Sequence, residues 1–313
     1  MTHLLTLDDL TVAETESLFH QAQKLKLSRA TSSELPLIGR TVALLFEKPS
    51  LRTRVSFEVA ARELGATSLY LSPQEVGLGK REAVADVAHV LSSYVHAIVL
   101  RTFSHHLAQE FADNSSVPVI NGLTDAHHPC QGLTDVYTIV EEYGSAAGRV
   151  LAYVGDGNNV AHSLLQAAAK SGMHVRIATP AGYEPDAAVV SAAREEAIKT
   201  GGSLTLTTDP QEAASGAHVL YTDVWASMGQ ESEAAQRRAV FSSYQINSQL
   251  LALAHPEAIV MHPLPAHRGD EITDEMMDGP QSRVLVQAEN RLHVQKAILC
   301  ALLGNGALAR LSA

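Results

Sequence analysis

The sequence has little cysteine and no long apolar run. Its 313 residues include two cysteines, Cys130 and Cys300, which are far apart and do not form a disulfide framework, so we expect a reducing compartment. No apolar stretch approaches the roughly 20 residues that span a bilayer. The first residues, MTHLLTLDDLT, lack a basic segment followed by an apolar one, which argues against a secretory signal. These absences favour a cytoplasmic protein.

Positive charge is also scarce. Lysine and arginine total 23 residues against 34 for aspartate and glutamate, so the formal net charge is −11. An acidic surface repels phosphate backbones and anionic lipids, which makes nucleic acids and membranes poor partners. An anionic substrate would therefore need a locally basic site.

Short apolar runs alternate with helical patterns along the chain. Alternation of this kind predicts an α/β fold with two domains, each a parallel sheet with helices on both faces. At roughly 150 residues per domain, the length also suggests two domains. We place the first domain at residues 1–143, with a C-terminal helix at 289–313 packing back onto it, and the second at 144–288. The predicted strands are residues 41–46, 68–71, 97–100, 117–121, 149–155, 174–178, 204–207, 218–222 and 258–261.

Polar side chains follow six of these strands. They come after Phe46, Leu100, Asn121, Val154, Thr222 and Met261. Ligands of parallel sheets bind at the carboxyl ends of the strands. Six polar clusters at six strand ends predict an enzyme with one shared cleft.

Residues 49–54 (PSLRTR) lie between a buried strand and a helix. Free N–H groups at a helix N-terminus, the hydroxyls of Ser50 and Thr53, and the guanidinium of Arg52 suit a phosphate group. The alternative is an ordinary helix cap, with Arg54 pairing with Glu58 one turn later. Spacing alone leaves both interpretations open.

A second cluster, HHPCQ at residues 127–131, follows another strand. Two histidines before a proline-fixed turn suit a binding site, while a metal site built from His127, His128 and Cys130 is the rival interpretation. No second pair of ligands with zinc-type spacing appears, so we expect no metal.

The turn GDGNN at residues 155–159 resembles part of a dinucleotide fingerprint. Val160 occupies the place of the third glycine, and the next strand ends without an acidic residue to hold a ribose. A nicotinamide cofactor is therefore disfavoured.

Five motifs together resemble the aspartate/ornithine carbamoyltransferase family: FEKPSLRTRVSFE (46–58), HPCQ (128–131), GDGNNVAHSL (155–164), DVWASMGQE (223–231) and HPLPAHR (262–268). The match runs nearly end to end, and the second half is most similar to members that use ornithine. The resemblance implies a carbamoyl-phosphate domain followed by an amino-acid domain. It also implies a trimer or a multiple of trimers, with active sites at subunit interfaces and no cofactor.

Carried over by position, the resemblance implies carbamoyl-phosphate ligands at Ser50, Leu51, Arg52, Thr53, Gly77, Arg101, His128, Pro129, Cys130, Gln131, Pro263, Leu264 and Arg291. Of these, the catalytic residues are expected to be Arg52, Thr53, Arg101, His128 and Gln131. The implied ornithine ligands are Asn159, Asp223, Ser227 and Met228. Thr53, Arg101 and His128 suit donation to a carbonyl oxygen that gains charge.

The chain departs from the family's pattern at three positions. Leu51 replaces the usual threonine of the phosphate cradle. Gly77 stands where relatives supply a glutamine or histidine to the neighbouring subunit, and Lys80 or Arg81 is expected to compensate. Pro263 replaces the cysteine of ornithine-using members, whereas members that use aspartate have proline there. We also expect a cis peptide bond before Pro265.

Two classes of function stay open beside ornithine carbamoylation. The acceptor could be aspartate, putrescine or a modified ornithine. Alternatively, the chain could be a non-catalytic carbamoyltransferase-like binding or scaffold protein. The presence of Arg52, Thr53, Arg101, His128 and Gln131 argues against the second class.

Overall fold

The computed structural model describes residues 1–79, 81–226 and 231–304. The chain divides into two compact units. The first unit contains Met1–Leu133 together with the chain from Asn290 onward, and the second contains Thr134–Glu289.

The first unit is built on a four-stranded parallel sheet. Its strands are β1 (Thr41–Phe46), β2 (Thr67–Leu71), β3 (Ala97–Arg101) and β4 (Val119–Leu123), in the order β2-β1-β3-β4. The central strands β1 and β3 are buried almost throughout, as expected for parallel strands covered by helices on both faces. Its helices are α1 (Val12–Leu27), α2 (Leu51–Glu63), α3 (Pro73–Val76), α4 (Val84–Tyr94) and α5 (His105–Asp113).

Local sequence fixes the ends of these helices. Thr11 and Glu14 form a reciprocal capping box at the start of α1. Helix α2 ends where Leu64 caps it and Gly65 follows with a φ of +85°. A Cβ atom at Gly65 would lie 2.8 Å from the Cβ of Leu35, so both the turn and the close packing require glycine here.

The second unit contains a five-stranded parallel sheet. Its strands are β5 (Val150–Val154), β6 (His174–Ala178), β7 (Ser203–Thr207), β8 (Val219–Tyr221) and β9 (Ile259–Met261), in the order β7-β6-β5-β8-β9. Its helices are α7 (Asn159–Lys170), α8 (Ala187–Thr200), α9 (Pro210–Ala214), α10 (Ala234–Phe241), α11 (Ser248–Leu251) and α12 (Asp274–Asp278). Two further helices, α6 (Pro129–Tyr143) and α13 (Val284–Leu303), each contain one boundary between the units.

The predicted fold class is confirmed, and the differences concern element ends. Strand β4 begins two residues later than predicted, because Pro118 has no N–H to donate to a neighbouring strand. A separate 3-10 helix, Leu7–Asp9, precedes α1, which begins directly after its N-cap Thr11. Helix α13 begins five residues before the predicted position 289. Within the described residues, no helix is long and apolar enough to cross a membrane.

The core of the first unit provides a direct test of this packing. Phe57 on α2 is fully buried, so Phe57→Ala should lower the free energy of unfolding by about 3–5 kcal/mol. Val90 on α4 is 51% exposed, and Val90→Ala should change that free energy by about 0.5 kcal/mol or less. Urea titrations of both variants measure the difference, and equal effects would contradict the assignment of the core.

Candidate active site

The N-terminus of α2 forms the centre of a basic site in the first unit. Ser50 is the N-cap, and its hydroxyl accepts a hydrogen bond from the backbone N–H of Thr53 at 3.3 Å. The first turn contains no acidic residue, so the positive end of the helix dipole is not neutralised locally. Leu51 is 76% exposed, so only its backbone N–H can serve the cradle. The same helical turn can therefore be both capped by Ser50 and available to bind an anion.

Three guanidinium groups approach this helix end. Arg101 ends β3 and is buried, and this burial, with the nearby charges of Arg291 and Arg52 added, lowers its pKa to about 10. Burial also lowers the pKa of Arg52. Like charges held together in a partly desolvated site repel one another, and a dianion among them would offset that repulsion. This arrangement suits a phosphate group.

Arg291 reaches the same cradle from α13. Its Nη2 donates to the hydroxyl of Thr53 at 2.8 Å, and the residue is buried. Arg54, by contrast, is exposed. The pair with Glu58 that the sequence suggested is present, with 2.9 Å between Arg54 Nε and Glu58 Oε1.

His128 and Gln131 add buried polar groups at the start of α6. The carbonyl of His128 accepts hydrogen bonds from the backbone N–H groups of Gln131 and Gly132, at 2.9 and 3.1 Å. Complete burial and the charges of Arg291 and Arg101 hold the pKa of His128 well below its usual range. His128 is therefore a neutral hydrogen-bond donor at physiological pH and does not add a fourth positive charge.

The neighbouring residues have structural roles that weaken the metal interpretation. The thiol of Cys130 donates to the carbonyl of Asn121 at 3.6 Å, and burial raises its pKa to about 12. A protonated thiol is a poor ligand, because metals bind the thiolate. The ring of His127 packs edge-on against His105, with 4.9 Å between ring centroids. Within the described residues, no group of three or more His, Cys, Asp or Glu side chains is arranged to hold a metal ion.

Gly77 ends the short helix α3 in the left-handed region, with φ +58°. Its carbonyl accepts from the backbone N–H of Arg81 at 2.8 Å, so Gly77 and Arg81 form one turn. The contact with a neighbouring subunit stays a prediction, and Lys80 lies outside the described residues.

In the second unit, Asn158 and Asp223 join two of the predicted motifs. Asn158 caps α7, with its Oδ1 accepting from the N–H groups of Val160 and Ala161. Its Nδ2 donates to Asp223 Oδ2 at 2.9 Å. Asn159 is the first residue of α7, directly after this cap. Sequence reasoning named Asn159 and missed Asn158, although an Asn before a helix is a recognisable cap signal.

Asp223 is buried, and burial raises its pKa despite the hydrogen bonds that it accepts from Asn158 and the N–H of Val224. A buried carboxylate of this kind favours a cationic ligand such as an α-ammonium group. Ser227 and Met228, predicted to follow it in the site, lie outside the described residues.

The turn after β9 is held on two sides. His262 donates its backbone N–H to Gln287 Oε1 at 2.9 Å, and its Nδ1 accepts from the N–H of Leu264 at 2.9 Å. Its Nε2 lies 3.1 Å from the fully buried carboxylate of Glu271. An Nδ1 that accepts leaves the ring proton on Nε2, so His262 donates to Glu271. Sequence reasoning missed both Gln287 and Glu271.

Leu264 has a φ of +58°, which is rare for a residue with a branched side chain. The expected cis bond between Leu264 and Pro265 is present. Pro263 and Leu264 belong to the second unit, as does Asp223, and their predicted contact with carbamoyl phosphate stays a prediction. The other residues predicted to bind carbamoyl phosphate belong to the first unit.

The glycines of the GDGNN turn serve local packing. A Cβ atom on Gly157 would lie 2.2 Å from the backbone nitrogen of Pro185. The backbone around residue 185 therefore occupies the space next to this glycine.

Comparisons with known proteins agree with both halves of this description. The model of the aspartate/ornithine carbamoyltransferase carbamoyl-P binding domain matches residues 2–141, and that of the Asp/Orn binding domain matches residues 147–302. A protein of Halalkalibacterium halodurans named ornithine carbamoyltransferase is 52% identical over 301 residues, covering 96% of this chain and 94% of the relative. The solved structure of ornithine carbamoyltransferase from Pyrococcus furiosus is 49% identical, with a TM-score of 0.95 and 97% of each chain covered. That from Gloeobacter violaceus is 49% identical, with a TM-score of 0.88, covering 97% of this chain and 99% of that one.

Arg52 and Arg54, both in the first turn of α2, allow a matched test of the anion site, because only Arg52 is assigned to it. Arg52→Ala removes a half-buried charged donor and should weaken binding of inorganic phosphate by roughly 10- to 100-fold. Arg54→Ala removes an arginine that pairs with Glu58 on the exposed face, and should leave phosphate affinity within about twofold. Calorimetric titration measures both, and equal losses would refute the assignment of Arg52.

Proposed function

This chain belongs to the aspartate/ornithine carbamoyltransferase family, and on that premise we propose that it transfers the carbamoyl group of carbamoyl phosphate to the side-chain amine of L-ornithine, giving L-citrulline and phosphate. It is an enzyme, a carbamoyltransferase. The observation that carries the proposal is the basic cluster of Arg52, Arg101 and Arg291 at the α2 N-terminus. This cluster lies within the residues that match the carbamoyl-phosphate domain, apart from Arg291, which α13 supplies.

On the donor side, the phosphate of carbamoyl phosphate binds the N-terminus of α2 and Arg52. Thr53, Arg101 and His128 donate to the carbonyl oxygen, and Gln131 binds the carbamoyl amide. A neutral His128 is suited to this role, because it donates without adding charge to a site that already holds three guanidinium groups. These donors stabilise the charge that develops on the oxygen during attack.

On the acceptor side, Asp223 binds the α-ammonium group of ornithine and Asn159 binds its α-carboxylate. Ser227 and Met228 complete this set by their place in the sequence. The Leu264 carbonyl accepts a hydrogen bond from the reacting amine. The burial of Asp223 supports its role, since a desolvated carboxylate gains most from a cationic partner.

The chemical step needs no cofactor. The lone pair of the neutral side-chain amine attacks the carbonyl carbon, and a C–N bond forms. The bond between that carbon and the phosphate oxygen then breaks, with its electron pair leaving on phosphate. The amine loses one proton, which the departing phosphate takes up, so atoms and charge balance. The guanidinium cluster stabilises the charge that accumulates on the leaving group.

The acceptor is ornithine rather than aspartate in this proposal, although Pro263 resembles the aspartate-using members. Aspartate would bring a second carboxylate close to Asp223, and like charges in a desolvated site cost several kcal/mol. Relatives about half identical to this chain are named for ornithine, which supports the same choice. Loss of the usual cysteine removes a weak polar contact and should lower the rate without changing the acceptor.

We also propose a trimer or a multiple of trimers, with Gly77 or Arg81 near the neighbouring subunit's site. Several large apolar side chains of the first unit are exposed in the single chain, which supports burial in an assembly: Leu27, Ile38, Leu51, Leu69 and Tyr94. The proposed location is the cytoplasm.

Acceptor selectivity tests the proposed reaction. We expect kcat/KM for ornithine to exceed the values for aspartate, putrescine and N-acetylornithine by on the order of 100-fold or more, because only ornithine offers both an α-ammonium and a free amine of this length. Pro263→Cys should raise ornithine turnover without changing this ranking. Citrulline and phosphate release provide the assay, and a wild-type preference for aspartate would refute the proposal.

A further inference from the structure

One guanidinium contacts both of the segments that supply the proposed acceptor ligands. Arg237, on α10, donates from Nη1 to Asp156 Oδ2 at 3.0 Å and to the carbonyl of Trp225 at 2.9 Å. Asp156 belongs to the turn that leads to Asn159, and Trp225 comes two residues after Asp223. Arg237 thus donates hydrogen bonds to a side chain of the first segment and to the backbone of the second.

The ion pair of Arg237 and Asp156 is buried. Arg237 is 7% exposed and Asp156 is 8% exposed. Burial raises the pKa of Asp156 to about 6, while Arg237 opposes that rise and the carboxylates of Asp223 and Glu233 add to it. Asp156 therefore depends on Arg237 to stay ionised near neutral pH. Removal of Arg237 would leave the carboxyl group of Asp156 buried without its ion-pair partner.

Further contacts hold Arg237 and the turn in one geometry. The Nε of Arg237 donates to Glu233 at 3.0 Å, and the guanidinium lies over the ring of Tyr183, 5.1 Å from its centroid. The carbonyl of Tyr183 accepts from the N–H of Gly157 at 2.9 Å. The turn and the arginine are thereby fixed against the same tyrosine.

The next residue in the sequence lacks all of these contacts. Arg238 pairs with Asp270 at 2.8 Å, and its side chain is 63% exposed. Exposed pairs of this kind contribute little. The chain therefore places two arginines side by side, of which one is buried between two substrate-binding segments and the other is on the surface.

We propose that Arg237 is a positioning residue of the acceptor site, which fixes the Asn159 turn relative to the Asp223 segment and thereby sets the affinity for the amino-acid substrate. This inference rests on the proposed function, because it takes Asn159 and Asp223 as acceptor ligands. The donor-side residues belong to the other unit. Loss of Arg237 should accordingly change the KM for ornithine and leave the KM for carbamoyl phosphate unchanged.

The test compares Arg237→Lys and Asp156→Asn, singly and together, with Arg238→Lys as the matched control. Lysine keeps the charge but lacks the planar fork that bonds Asp156, Trp225 and Glu233 at once. We expect Arg237→Lys to raise the KM for ornithine by on the order of tenfold, with kcat changed less. The double variant should be less impaired than the product of the single effects, because the two residues act as a pair. Arg238→Lys should match the wild type.

The outcomes separate this inference from the proposed function. A wild-type enzyme that forms no citrulline from ornithine would refute the proposed function. An active wild type, with equal ornithine KM values for Arg237→Lys and Arg238→Lys, would overturn the positioning role. So would a parallel rise in the KM of both substrates with a lowered melting temperature, which is the signature of a purely structural residue. If Arg237→Lys does not fold, Asp156→Asn decides by the same selective rise in ornithine KM or its absence.

Discussion

Mutual repulsion among Arg52, Arg101 and Arg291 is the constraint on which the donor site depends. Three guanidinium groups gathered at the positive end of a helix dipole are electrostatically costly, and the pKa of Arg101 is lowered first by burial and then by the charges of Arg291 and Arg52. The first unit tolerates the cluster because the buried strand β3 holds Arg101 and α13 holds Arg291, which bonds Thr53. Binding of a dianionic ligand relieves this repulsion, and the relief adds to the binding free energy. The same positive charges stabilise the negative charge that the departing phosphate carries.

The cluster also determines the chemistry of its neighbours. Together with the complete burial of His128, it holds the pKa of that residue well below its usual range, so His128 acts as a hydrogen-bond donor rather than as a general acid. The acceptor side has the opposite charge, since it contains three buried carboxyl groups: Asp223, Asp156 and Glu271. The pKa values of Asp223 and Asp156 are raised. Each unit thus matches the charge of the ligand proposed for it: an anion in the first and an ammonium group in the second.

The sequence predicted features that local patterns determine and missed those that depend on distant residues. Strands such as Thr41–Phe46 and His174–Ala178 were predicted correctly, because continuous apolar runs between turns are local signals. The start of α2 was also predicted correctly, since Ser50 with Thr53 three residues later is a local capping motif. Arg237 and Arg238 are adjacent and identical in type, so nothing local indicates which one is buried. Likewise, Asn158 and Asp223 are 65 residues apart, and only the fold brings them together.

The protonation state of bound phosphate tests the central electrostatic claim most directly. The measurement is a 31P NMR titration of inorganic phosphate bound to an excess of enzyme, between about pH 5 and 8, beside the same titration of free phosphate. Three nearby guanidinium groups should stabilise the dianion, so the pKa of bound phosphate should fall below that of free phosphate. A bound phosphate that takes up its proton at the same pH as free phosphate, or at a higher one, would contradict this account.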